Sequence, residues 1–174
     1  MRIISIILLV TFSFPSQGQT KNPFLSVKFD KVIIYDYQQA GEDPALVGEN
    51  GNLLSSARIK KQVQLDSATI NKLNRKIGDR KSYGQVTAAC FEPHLGIVYY
   101  LNGKIVRHVL VCIGCNALRA DIDIPAQHQN KQGQGDNAYY LGEGMSKSFR
   151  QFINSLLIKY NFSHQIKPGS GFDK

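Results

Sequence analysis

The chain reads as an α+β domain: an antiparallel sheet with a central Asn-Gly hairpin and two helices packed on one face. Three observations predict it. Two β-rich runs flank Asn102-Gly103, the strongest short-range hairpin signal. Two stretches, after Asp66 and after Ser146, carry apolar residues at helical spacing. Strands and helices do not alternate in the regular order that βαβ units require.

The strands come first. Phe24 to Gln39 has the valine, isoleucine and tyrosine content of a strand or strand pair, Phe24–Phe29 and then Val32–Tyr37. Gly41 to Pro44 breaks it, Asn50-Gly51 marks a turn, and Val63–Leu65 reads as a short strand. Asp66 suits a helix N-cap, with Ile70, Leu73 and Ile77 forming the apolar stripe and Gly78 the stop. Leu95–Leu101 and Lys104–Cys112 are the hairpin arms. Pro125 to Asn137 is rich in Gln, Asn and Gly and reads as a long polar loop. Ser146 caps a second helix whose apolar face is Phe149, Phe152, Ile153, Leu156, Leu157 and Tyr160. Residues 161–174 read as a frayed tail, so the single domain is expected over residues 19–160.

Length and composition set the class. At 174 residues, with 43% hydrophobic and 20% charged residues, the chain is an ordinary globular sequence, which excludes a disordered or fibrous protein. The N-terminus has the layout of a secretory signal peptide over residues 1–18. Arg2 precedes an apolar run from Ile3 to Phe14, Pro15 ends it, and Ser16 and Gly18 occupy the −3 and −1 positions of a cut before Gln19. The run is shorter than the roughly 20 apolar residues of a spanning helix. The expectation is a periplasmic or secreted protein with no membrane span in its mature form.

The formal net charge is +8. Arg58, Lys60 and Lys61 form one basic cluster, and Lys72, Arg75, Lys76, Arg80 and Lys81 another. Such runs are commonly solvated faces. The partner they would attract is an anionic envelope surface. Nucleic acid is not expected, because no stacking aromatics interleave with the charges.

The chemistry-bearing residues gather around the hairpin. If Asn102 and Gly103 are the turn, Leu101 pairs with Lys104, Tyr100 with Ile105 and Val98 with Arg107. Continued, the register sets Pro93 against Cys112 and Cys90 against Cys115, with His94 diagonal to Cys112. All three cysteines of the chain meet at that end.

Three chemistries fit. Cys90, His94, Cys112 and Cys115 supply the sulfur and imidazole donors of a closed tetrahedral zinc site, with Glu92 placed to orient the His94 ring. Two of the cysteines instead form a disulfide in an oxidising compartment, Cys90–Cys115 being the pair that the register favours. Or Cys112-Ile-Gly-Cys115 works as a thiol-disulfide oxidoreductase pair. A c-type haem site is excluded because residue 116 is Asn. The sequence contains no Gly-x-Ser-x-Gly, no His-Glu-x-x-His and no phosphate-binding glycine loop. The leading expectation is therefore a non-catalytic binding or accessory domain of the cell envelope. His108 reads as an ordinary sheet residue, and His128 and His164 as solvated.

The segment Cys90-Phe-Glu-Pro-His-Leu-Gly96, followed by Val111-Cys-Ile-Gly-Cys115, resembles a pattern in small uncharacterised exported bacterial proteins. The resemblance is confined to residues 90–115 and implies no activity.

Removal of residues 1–18 is directly measurable. Intact-mass spectrometry of exported protein is expected to show a chain beginning at Gln19; a retained Met1 in exported material would refute the assignment.

Overall fold

A computed structural model describes residues 22–39, 45–135 and 139–166. Residues 1–18, assigned above to a signal peptide, lie outside the described residues, as do 167–174. The fold is α+β. Its strands are β1 (Lys31–Gln39), β2 (Ala57–Gln64), β3 (Tyr83–Gln85), β4 (Leu95–Leu101), β5 (Lys104–Cys112), β6 (Ala117–Ala120), β7 (His128–Gln132), β8 (Tyr139–Gly142) and β9 (Gly144–Met145). The helices are α1 (Ser67–Ile77) and α2 (Lys147–Lys159). The main sheet is antiparallel, with order β2-β1-β4-β5-β6; β3 pairs with β9, and β7 with β8.

Side-chain alternation sorts the sheet into two faces. Val32 and Ile34, Leu95, Ile97 and Tyr99, and Val109 and Val111 join one core with Ile70, Leu73 and Ile77 of α1 and Phe149, Ile153 and Leu157 of α2. Both helices thus cover the same face. On the opposite face Tyr35, Tyr37, Val98, Tyr100 and Leu110 pack under Leu46, with Leu53, Leu54 and Phe91 against them. That cover is irregular chain, supplied by the segment around a Val47–Leu53 bridge and by the stretch preceding β4.

Both helix starts follow from their caps. Asp66 accepts from the Thr69 amide at 2.7 Å, and Ser146 from that of Phe149 at 3.4 Å, each satisfying an amide that the first turn leaves without a partner. Helix α1 is also joined to the sheet by a polar contact. Asn74, on α1 and 3% exposed, accepts from the Tyr99 hydroxyl at 2.7 Å and donates to the Phe24 carbonyl at 3.1 Å.

Between β4 and β5, Asn102 and Gly103 have φ of 53° and 78°, the left-handed conformation that a two-residue reversal with the native strand twist needs. Leu101 faces Lys104 and Tyr100 faces Ile105. A register shift then follows, so Tyr99 faces Arg107 and Leu95 faces Val111. The uninterrupted register anticipated above, with Val98 against Arg107, does not hold, because an extra residue enters β5 at the shift. The ladder also stops at Leu95 and never reaches Pro93 or Cys90, consistent with proline's missing donor.

Four other expectations need correction. Phe24 does not begin a strand: Pro23–Leu25 is a 3-10 turn, capped by the Asn22 side chain and set by proline's fixed φ. The strand expected at Val63–Leu65 extends back to Ala57; Arg58 to Gln62 are exposed, so no apolar alternation marks it. Its Arg58, Lys60 and Lys61 lie on a sheet edge, where charge discourages pairing with another chain. The stretch from Pro125 contains a 3-10 turn and β7 rather than loop throughout. Residues 161–166 are packed rather than frayed: Phe162 is 2% exposed, and the Asn154 side chain accepts from the Ile166 amide at 2.7 Å.

The Asn74 bridge is testable. Asn74→Ala leaves a buried hydroxyl and a carbonyl without their partners, and is expected to cost about 2 kcal/mol in denaturant unfolding at an unchanged slope.

Candidate functional site

The site lies where β5 turns into β6. Residues 113–116 form a tight turn between the two strands, and Cys112 faces Ala117 across the ladder. Cys112 and Cys115 are each 2% exposed. Their sulfurs stand at disulfide distance and their Cα atoms are 5.3 Å apart, within the range a disulfide spans. The Cys115 amide donates to the Cys112 sulfur at 3.1 Å. Cys90 is exposed, and its sulfur lies 2.6 Å from that of Cys115. All three cysteines therefore meet, with Cys115 in the middle.

The local reason is not a continued hairpin. Asn116 adopts φ of 56°, as Asn does more readily than most side chains. It is fully buried, and its side-chain amide donates to the carbonyls of Val86 at 3.0 Å and Met145 at 3.1 Å. The Ala88 amide donates to the Cys115 carbonyl at 2.9 Å. These bonds draw residues 86–90 alongside the turn and carry Cys90 to Cys115. Gly144 permits the approach: a Cβ there would come within 2.6 Å of the Val86 carbonyl and 2.7 Å of the Asn116 amide nitrogen. From below, the buried Arg150 guanidinium of α2 donates to the Ile113 carbonyl inside the Cys-x-x-Cys turn.

His94 is engaged elsewhere. Its Nδ1 donates to the Tyr37 carbonyl at 3.3 Å, and its ring stacks on that of His164 with centroids 3.5 Å apart and planes at 4°. Glu92 is exposed. Thus Cys90, Cys112 and Cys115 come together, while the contacts of His94 are with Tyr37 and His164. Among the described residues, no group of three or more His, Cys, Asp or Glu side chains is arranged to hold a metal ion.

The His94–His164 pair was not foreseen. Asp36, buried on β1, accepts from the Ser163 amide at 2.5 Å and its hydroxyl at 2.8 Å, fixing the chain beyond α2. His164 is thereby set over His94, its Nδ1 3.8 Å from Asp36. No spacing rule links positions 36, 94 and 164. Asp36, His94, Ile113, Phe162 and His164 share a small cavity of about 10 Å3, so the cysteine turn and the histidine pair have a common wall.

Burial holds the His164 imidazole below its ordinary 6.5, with His94 and Lys60 adding to the effect and Asp36 opposing it. His108 is lowered too, by burial against the opposing pull of Asp121. The remaining basic groups are partly occupied. Arg80 pairs with Glu143, and the Lys72 and Lys76 ammoniums lie 5.2 and 5.7 Å from the Phe152 ring centroid.

A lowered native pKa means that the unfolded chain binds the proton first as pH falls. The His164 contribution is therefore present above 6.5 and lost below it. The unfolding midpoint is expected to drop between about pH 7.5 and pH 5, and His164→Gln should lessen that dependence, leaving the part of the same sign that His108 contributes. An unchanged pH profile in the variant would refute the assignment.

Comparison with family models, curated proteins and solved structures finds no match to this chain.

Proposed function

We propose that the protein is an exported accessory or binding domain of the cell envelope, non-catalytic, with a Cys112–Cys115 disulfide fastening the end of its main sheet. The observation that carries this reading is the buried pair of sulfurs at disulfide distance in the β5–β6 turn. Disulfides persist in oxidising compartments, which agrees with the secretory layout of residues 1–18. The cross-link closes only a short loop, so its stabilising effect is at the low end for disulfides. Its use is local: it fixes the turn that carries Asn116 and receives Arg150.

The oxidoreductase alternative has less support. Activated Cys-x-x-Cys thiols sit at a helix N-terminus, where the helix dipole favours the thiolate. Here the pair lies between two strands. The zinc alternative has one observation in its favour. Once reduced, Cys90, Cys112 and Cys115 would offer three thiolates around one point, and zinc would take them as a structural ligand set. In either form, the edge-strand cations Arg58, Lys60 and Lys61 are the natural contact with an anionic envelope surface.

Thiol counting decides among these readings. Natively purified protein, denatured without reductant, is expected to show one free thiol per chain, at Cys90, with peptide mapping linking Cys112 to Cys115. Three free thiols together with one bound zinc per chain would replace the disulfide by the metal site.

A further inference from the structure

We propose that the three sulfurs form a relay. Cys90 is the outer thiol that exchanges with a low-molecular-weight disulfide, and Cys115 is the shared sulfur that passes the bond inward to Cys112. The proposal rests on the disulfide reading above and adds to it the chemical class of the oxidant and the route by which the bond is made.

Three features carry it. Exposure is divided: Cys90 is an exposed residue, whereas Cys112 and Cys115 are each 2% exposed. An external disulfide can meet the first and not the other two. Position is shared: Cys115 touches both neighbours, its sulfur at disulfide distance from Cys112 and 2.6 Å from Cys90. Support is unequal: Cys112 ends a strand and Cys115 lies in the turn that Asn116 anchors, while Cys90 stands on irregular chain between Ala88 and β4. The outer partner in an exchange is then Cys90. The Cys115 amide, 3.1 Å from the Cys112 sulfur, donates to the atom that carries negative charge whenever the inner bond opens.

The chemistry balances in three steps. In the reduced protein the Cys90 thiolate attacks one sulfur of a disulfide RSSR; a Cys90–SR bond forms and RS⁻ departs. The Cys115 thiolate then attacks the Cys90 sulfur, and the second RS⁻ leaves with the electron pair of the Cys90–SR bond. Last, the Cys112 thiolate attacks Cys115; the Cys90–Cys115 bond breaks and Cys90 recovers its thiolate. One RSSR is reduced to two RSH, two cysteine thiols are oxidised to one disulfide, and their two protons pass to the released thiolates. Excess RSH drives the same steps backward.

The experiment uses oxidised glutathione as the disulfide. Reduced protein is mixed with it, quenched with acid, alkylated and peptide-mapped over time. In the wild type, a glutathione adduct on Cys90 is expected before the Cys112–Cys115 bond. Cys90→Ser should slow formation of the inner bond by about tenfold or more, because the remaining sulfurs are buried. Cys112→Ser should stop at a Cys90–Cys115 disulfide. A first adduct on Cys112 or Cys115, or wild-type speed in Cys90→Ser, overturns the relay. If Cys112→Ser does not fold, the adduct position in the wild type decides alone. Failure of the underlying reading looks different: no Cys112–Cys115 bond forms at any time. A normal inner bond without a Cys90 adduct removes the relay only.

Discussion

In a five-stranded sheet of order β2-β1-β4-β5-β6, three strands are interior, and here their apolar residues lie on both faces. Burying both sides requires two covers. The helices supply one, with apolar stripes from α1 and α2 meeting the side of Val32, Ile97 and Val109. The other must come from chain that forms neither helix nor strand, and Leu46, Leu53, Leu54 and Phe91 provide it. This second cover explains why residues 86–94 lie where they do. Phe91 is drawn onto the sheet to exclude water from tyrosines 35, 37 and 100, and its neighbour Cys90 comes with it.

Hydrophobic burial alone would leave that segment free to slide. Register is fixed by hydrogen bonds to the β5–β6 turn, chiefly from Asn116. Its buried side chain bonds two carbonyls from distant parts of the chain, Val86 and Met145. An amide placed in this way is costly to remove, since the Met145 carbonyl would be left buried without its donor and the tether to Val86 would be lost. The sulfur cluster is thus held by polar groups outside it. The Arg150 contact with Ile113 ties the same turn to α2, so sheet end, helix and irregular cover converge on four residues.

Two chemically distinct centres share this end of the molecule. The cysteines occupy the turn, and the stacked imidazoles of His94 and His164 lie across a small common cavity from Ile113. Asp36 connects the second centre to the fold, because the chain beyond α2 is fastened to it through Ser163. Burial, with the neighbouring His94 adding to it, disfavours the protonated form of His164.

The residues determined a good deal unaided. The α+β class, both helix caps at Asp66 and Ser146, and their apolar stripes were legible, because caps and periodicity are local properties. Strand β2 was mostly hidden, since an exposed edge has no alternating face to display. The hairpin register anticipated that Cys90 and Cys115 meet, but it favoured them as the disulfide pair, whereas the bonded partner of Cys115 is Cys112, its neighbour across the β5–β6 turn, and Cys90 is left free. Tertiary structure achieves the meeting otherwise, by an extra residue in β5 and the reach of Asn116 to Val86. The union of Asp36, His94 and His164 was decided by tertiary structure alone. Nothing in the spacing of three residues so far apart signals that packing of Phe162 will lay one imidazole upon the other. Local propensity follows from neighbours in sequence, whereas long-range pairing depends on which buried groups find partners once the chain has closed.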